Sequence, residues 1–351
     1  MPVKMRWAAC VLGALTATLL GAAACSGSAS AAPAGTQSAR TASGPRTASG
    51  PQTASAPRTA SAPQTASASH PCGTQAKPGA YRHVIWIWME NHSSGAIIGS
   101  SQAPYFNALV RECGLATNYH NITHPSLPNY IAATSGLSLT SLHKFLPDCS
   151  PSGSCDTSVK SIFAQGETWK SYEESMPSDC DHSNSGNYAV RHNPAAYYTT
   201  LHGCSSDDVP YSHLATDLAH NQLPAFSFIT PNLIDDMHNG TVADGNSWLS
   251  RNLPAILNSA EYKNGSAVIF ITFDEGSDVG SYANGEHCAT NTSDTSCHLP
   301  TFVISPSTKA GTRSGALFNH YSLLATAEQL LGLPKLGLAA SYPTMTKAFN
   351  L

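Results

Sequence analysis

The chain has 351 residues, of which 11% are charged, and a formal net charge of −4 without runs of either sign. No basic stripe is present, which argues against a nucleic-acid partner. Ten cysteines and fifteen histidines say more about the protein than its charge does.

In chain order, Met1-Pro2-Val3-Lys4-Met5-Arg6 precedes an apolar stretch from Trp7 to Ala24, the charged-then-hydrophobic order of an export signal. The sequence therefore predicts a secreted, extracellular protein. Its signal spans 1–31 if cut after Ala29-Ser30-Ala31, or ends at Ala24 if Cys25 is lipidated and anchors the chain at the cell surface. From Thr41 to Ser69 a six-residue unit recurs as TASGPR, TASGPQ, TASAPR and TASAPQ. Such a composition cannot bury a core, so residues 32–80 read as a disordered, proline-stiffened tether to the cell envelope. Residues 81–351 are left for one catalytic domain.

Eight cysteines remain beyond Cys10 and Cys25, an even number in an exported chain, which predicts disulfides. Local spacing pairs Cys149 with Cys155, Cys180 with Cys204 and Cys288 with Cys297, and leaves Cys72 for Cys113. No Cys-x-x-Cys pair points to thiolate zinc.

From His83 onward apolar runs alternate with amphipathic segments. Strands are expected at His83 to Trp88, Thr168 to Tyr172, Pro224 to Thr230, Ala267 to Phe273 and Thr301 to Ser305. Helices are expected at Ala103 to Glu112, Leu127 to Ser135 with Gly136 as its stop, Tyr211 to His220, Ser247 to Leu257 with an interruption near Pro254, and Tyr321 to Leu331. This order predicts an α/β fold with a mostly parallel central sheet and helices on both faces. The Ser-, Asp-, Asn- and Cys-rich stretches 137–160 and 176–208 read as disulfide-pinned loops over the active site.

Glu90-Asn91 and Asp274-Glu275 each follow a run that reads as a buried strand. If those strands are parallel neighbours, four oxygen-bearing side chains meet at the carboxyl edge of the sheet, where open α/β sheets bind ligands. Hard oxygen donors gathered at one point suggest a divalent cation. Gly276 would permit the turn that lets Asp274 and Glu275 face one site. Ser126 opens a helix with Pro128 in its first turn, so it is either a plain N-cap or a hydroxyl that a metal activates. The amides of that helix start would welcome a phosphate. His238 follows the strand ending at Thr230, His320 opens the last helix, and His192 lies in Arg191-His192-Asn193-Pro194. These three are candidate phosphate contacts or proton donors.

Met89-Glu90-Asn91, His124-Pro125-Ser126-Leu127-Pro128-Asn129-Tyr130, Asp236-Met237-His238, Phe273-Asp274-Glu275 and Asn319-His320-Tyr321, in that order, resemble the bacterial phosphoesterase family of secreted acid phosphatases and phospholipases C. The resemblance implies an alkaline-phosphatase-like fold. It implies one divalent metal ion held by Glu90, Asn91, Asp274, Glu275 and the Ser126 oxygen, with Asn129 and His238 on the phosphoryl oxygens. Tyr130 stands where a sulfatase would need a basic residue. The expected function is a metal-dependent acid phosphatase that hydrolyses phosphomonoesters through a phosphoserine on Ser126, with His238 or His192 as proton donor. Its substrate is a small phosphorylated molecule or a phospholipid headgroup, with phosphoinositides one class. A phospholipase C cleaving phosphodiesters is the alternative within the fold, and a surface-tethered phosphate-binding protein the alternative outside it.

Overall fold

Runs of β-branched and aromatic residues form one sheet in the computed structural model, which describes residues 70–276, 285 and 287–351. The export signal and the repeat lie outside the described residues. In chain order the strands are β1 His83–Met89, β2 Gly114–His120, β3 Trp169–Glu173, β4 Asp208–Pro210, β5 Phe226–Thr230, β6 Ala267–Phe273, β7 His298–Ile304, β8 Arg313–Ser314 and β9 Phe318–Asn319. Their order across the sheet is β4-β3-β5-β1-β6-β7-β2-β8, with β9 also beside β2.

β1 lies between β5 and β6 and runs parallel to both, with Trp88 opposite Thr272 and Met89 opposite Phe273. Being buried on both faces, β1 and β6 need no polar alternation, and this is why their sequences read as unbroken apolar runs. The register brings the two acidic strand ends out side by side, and Asp274 N donates to Met89 O at 3.0 Å. Trp88, on one face, packs against Tyr130 and His320 from helices Ser126–Ser135 and His320–Leu330. Phe273, on the other, meets Phe106 of helix Pro104–Glu112. Helices thus cover both faces, as expected.

Four features differ from the sequence reading. β7 runs antiparallel to β6 and β2, so the sheet is mixed; the Cys288–Cys297 disulfide lies in the connection that leads from β6 into β7. β2 was not expected, because an irregularity between Ala116 and Tyr119 breaks its period of two. Helix Val242–Leu257 starts ahead of Ser247, at a reciprocal cap between Thr241 and Asp244, and continues through Pro254. The folded body also begins ahead of the expected residue 81: Cys72 is buried and bonded to Cys113, Gln75 N donates to Pro306 O at 2.9 Å, and Pro71 O accepts from Tyr262 at 2.6 Å. The other three expected disulfides, Cys149–Cys155, Cys180–Cys204 and Cys288–Cys297, are all present. Among the described residues, no helix is long and apolar enough to cross a membrane.

At the sheet edge Asp208 is buried, and both its oxygens accept from Asn193 Nδ2, at 2.8 and 3.0 Å. Burial pushes its pKa up to about 7, and it in turn helps raise Glu173 on the neighbouring strand. A carboxyl whose folded pKa exceeds its unfolded value favours folding most at low pH. That advantage is lost as pH rises through the folded pKa. Asp208→Asn should therefore reduce the fall in stability between about pH 4 and pH 7, a term on the order of 4 kcal/mol. Denaturant titrations across that range check it, and an unchanged slope contradicts it.

Candidate active site

Helix Ser126–Ser135 is buried along its whole length and stops at Gly136, which is left-handed at φ 71°. A Cβ at Gly136 would lie 2.4 Å from Leu336 O, so only glycine fits. Ser126 opens the helix at 2% exposure and donates its hydroxyl to Glu90 Oε2 at 3.2 Å. One turn on, Tyr130 lies on the same helix face and donates to the other Glu90 oxygen. Asn91 takes a left-handed conformation at φ 51°, which asparagine tolerates. Its backbone N–H therefore reaches Asp274 Oδ1 at 3.0 Å, and its side-chain amide reaches Glu90 Oε2 at 3.3 Å. Glu90, Asn91, Ser126 and Asp274 are thus brought together from three separate stretches of chain.

Glu275 points beside this group, and its Oε2 lies 2.8 Å from His124 Nδ1. Gly276 does allow the turn, through close approach. A Cβ there would fall 2.2 Å from Ser93 Oγ and 2.7 Å from Ser296 O, while Gly276 N donates to Ser296 O at 3.0 Å.

A second arm arrives after β5. Met237 is held at φ 81°, an uncommon conformation for such a side chain and one found at functional turns. This twist lets Asp236 Oδ1 accept from His238 N at 2.7 Å while Oδ2 lies 3.2 Å from His192 Nδ1. His192 Nε2 stands 3.3 Å from Glu90 Oε1, and Tyr130 stacks on the imidazole with 8° between the rings. Above them Arg191 donates to His238 Nε2 at 2.9 Å and sits 3.7 Å from Asp148 Oδ2, while Asp148 Oδ1 accepts from Leu127 N at 2.9 Å. Asp148, Cys149, Ser150, Asn184, Arg191 and His238 line a polar cavity of about 340 Å³, so both expected loops do form its rim. The larger cavity of about 670 Å³, beside Tyr105, Leu109, Leu257 and Tyr262, contains none of these groups, whereas the smaller one adjoins them through Asp148, Arg191 and His238.

Burial and mutual repulsion dominate the electrostatics. Glu90 is held well above the usual carboxylate range by burial and by Asp274 and Asp236, and Asp236 and Glu275 are raised in the same way. Burial takes Asp274 up to about 6, with the Asn91 amide and the Ser126 hydroxyl pulling it back. Arg191 offsets part of this charge at Glu90, Asp236 and Glu275. Two fully buried atoms, Asp274 Oδ2 and His192 Nε2, make no hydrogen bond of ordinary geometry. Glu90, His192 and His238 each offer a ligand atom within 4.8 Å of the others. The oxygens of Ser126, Asn91 and Asp274 share Glu90 with that group and offer a divalent cation an all-oxygen alternative, which would take up Asp274 Oδ2 and let the carboxyls ionise.

Three expected roles change. Asn129, expected on the phosphoryl group, is fully buried and already engaged. Its oxygen accepts from Ile122 N and Thr123 N, and its nitrogen donates to Thr123 O and Pro125 O. The side chain braces the loop that delivers Ser126. His320 does not line the pocket; it is buried between Tyr119 OH and Asp274 O, at 3.0 and 2.8 Å, and so fixes the turn that carries Asp274. His192 and His238, expected as proton donors, both have depressed pKa values, through burial and the neighbouring Arg191, and His238 Nε2 already accepts a hydrogen bond from the guanidinium. Both shifts favour the neutral imidazole. The sequence reading missed the roles of Asp148, Arg191, Asp236 and Tyr130. Asp236 had the clearest signal, since it shares a motif with His238.

Residues 88–334 match the Phosphoesterase family. The chain belongs to that family. This phosphoesterase is 31% identical over 267 residues to the phosphatidylinositol-3-phosphatase of Mycobacterium tuberculosis, covering 76% of this chain and 82% of that one. It is 28% identical to the phosphate-repressible acid phosphatase of Penicillium chrysogenum, with 74% of this chain covered but only 61% of the fungal protein's length. In fold it resembles a protein of the alkaline phosphatase superfamily from Vibrio parahaemolyticus, with a TM-score of 0.54, 13% identity and coverage of 79% and 73%. The phosphonate monoester hydrolase of Agrobacterium radiobacter gives a TM-score of 0.51 at 13% identity, with 77% of each chain covered. The protein is a hydrolase of phosphoric esters with an alkaline-phosphatase-like fold, and its four disulfides suit an oxidising extracellular compartment.

Asn129→Ala would leave the buried Ile122 and Thr123 amides and the part-buried Pro125 carbonyl without this partner, while Thr123 O keeps its bond from Asn121 Nδ2. Thermal unfolding should show a loss of about 2–4 kcal/mol. A variant as stable and as active as the parent would rule out the bracing role.

Proposed function

We propose that this phosphoesterase is a secreted, metal-dependent acid phosphatase that transfers the phosphoryl group of a phosphomonoester to Ser126 and then to water. One observation carries the reading: the Ser126 hydroxyl lies at the buried start of its helix, 3.2 Å from Glu90 Oε2 and beside Asp274. A serine hydroxyl is a poor nucleophile without such help. Glu90, Asn91, Ser126, Asp274 and Glu275 would hold one divalent ion, which when bound supplies charge neutralisation and lowers the pKa of the hydroxyl.

The chain's own groups do the rest. Ser126 Oγ attacks phosphorus as the bond to the leaving oxygen breaks, and the hydroxyl proton passes along the hydrogen bond to Glu90. Tyr130 and Asn91 fix the Glu90 carboxyl for that transfer, and His192 and Asp236 wall the site from below. The leaving oxygen faces the rim cavity and takes its proton from water there. Water then attacks the phosphoserine and frees inorganic phosphate. Fixed dipoles and charges, set before substrate arrives, would supply most of the rate.

The mycobacterial relative named for phosphatidylinositol 3-phosphate supports phosphoinositides as a substrate class, and it favours phosphomonoesters over the phosphodiesters of a phospholipase C. Residues 1–31 would direct export, or 1–24 with lipidation of Cys25, and the repeat up to residue 69 would tether the body to the envelope.

Ser126→Ala should lower turnover of an aryl phosphate by several orders of magnitude with its thermal unfolding unchanged; near-normal turnover would remove Ser126 from the mechanism. Exhaustive chelation should abolish activity, and a divalent salt should restore it. Full activity in protein shown by elemental analysis to be metal-free would contradict the cation.

A further inference from the structure

Beside Ser126, two groups suited to an anion are already occupied by a carboxylate of the chain itself. Leu127 N, in the first turn of the Ser126 helix, donates to Asp148 Oδ1 at 2.9 Å. Asp148 Oδ2 stands 3.7 Å from Arg191 Nε. The two oxygens of one carboxylate therefore bridge a helix amide and a guanidinium, both favoured partners of phosphate. The bridge adjoins the buried acids around Ser126, since both Asp148 and Arg191 act on the charge of Glu275, and Asp274 Oδ2 makes no hydrogen bond of ordinary geometry there.

The setting allows exchange. The side chains of Asp148 and Arg191 are 23% and 24% exposed, and both line the rim cavity of about 340 Å³ through which a substrate would approach. Asp148 is carried by the expected loop 137–160, next to the Cys149–Cys155 disulfide, and Tyr197 donates to Cys149 O at 2.6 Å. The loop is thus pinned, while the carboxylate at its tip has only an amide and a guanidinium to release. Arg191 keeps a second anchor, its hydrogen bond to His238 Nε2, and so stays at the rim if Asp148 departs.

The geometry points to Asp148 as an internal substitute for a phosphoryl group, displaced when substrate binds, and to Arg191 as the residue that then takes the phosphoryl oxygens. A carboxylate placed only to orient Arg191 would not need the Leu127 amide; one that fills the phosphate position uses both. Asp148 therefore competes with substrate and helps to expel inorganic phosphate at the end of the cycle. This inference rests on the Ser126 reading, yet the two fail separately, because phosphate binding is measurable without turnover.

The test is equilibrium binding of inorganic phosphate, by calorimetry, to metal-loaded Ser126→Ala protein with and without changes at the rim. Asp148→Asn should tighten phosphate about tenfold, and Arg191→Gln should weaken it at least tenfold. In the Arg191→Gln background the gain from Asp148→Asn should shrink, since much of the competition runs through the guanidinium. Arg191→Lys should recover part of the loss. In protein that retains Ser126, Asp148→Asn should lower KM for an aryl phosphate by about the same tenfold and lower kcat by less, so that kcat/KM rises. Asp148→Ser, which keeps an acceptor for the Leu127 amide, replaces Asp148→Asn if the latter unfolds. Unchanged or weaker phosphate binding on loss of the Asp148 charge would overturn the proposal. Normal hydrolysis by Ser126→Ala would instead sink the nucleophile assignment and leave the phosphate measurements to decide the role of Asp148.

Discussion

Four carboxyl groups share one water-poor space, and the placement of the groups around them follows from that crowding. Glu90, Asp236, Asp274 and Glu275 are each no more than 2% exposed, and the guanidinium of Arg191 offsets only part of their charge. Burying one unpaired carboxylate is already costly, and here Asp274 raises each of the other three in turn. The surrounding hydrogen bonds, from the Asn91 amide, Tyr130, the His238 amide and His124, position these acids without neutralising them.

The sheet creates the crowding. Because β5, β1 and β6 run parallel and adjacent, everything that follows them leaves at one edge: Asp236 and His238 after β5, Glu90 and Asn91 after β1, Asp274 and Glu275 after β6. This much was legible in the sequence, since a strand buried on both faces appears as an uninterrupted apolar run. Ala267–Phe273 was found with its exact bounds for that reason. Gly136 as a helix stop was legible too, because a left-handed C-terminal residue leaves a recognisable mark. So was the disulfide pattern, from local spacing.

What stayed hidden depends on partners far away in sequence. Asn129 could be placed near Ser126, but nothing local says that its amide is taken up by the preceding loop. His320 sits in a motif, yet its partners Tyr119 and the Asp274 carbonyl lie 201 and 46 residues away. Asp148 and Arg191 meet across two loops whose composition suggests only solvent exposure. The reversed β7 and the irregular β2 were obscured for a related reason: strand direction is set by the length and path of a connection, and a bulge erases the alternation that marks a strand. Residue types at strand ends pointed to the carboxyl edge of the sheet, while the contacts of each side chain depend on tertiary geometry.

The central claim is that these acids hold a divalent cation against the Ser126 oxygen. Anomalous diffraction from crystals of the active protein grown with manganese tests it most directly. The account predicts one strong anomalous peak bonded to oxygens of Glu90, Asp274 and Ser126, at about 2.0–2.6 Å. An active crystal with no peak there, or with its only metal elsewhere in the chain, would contradict it.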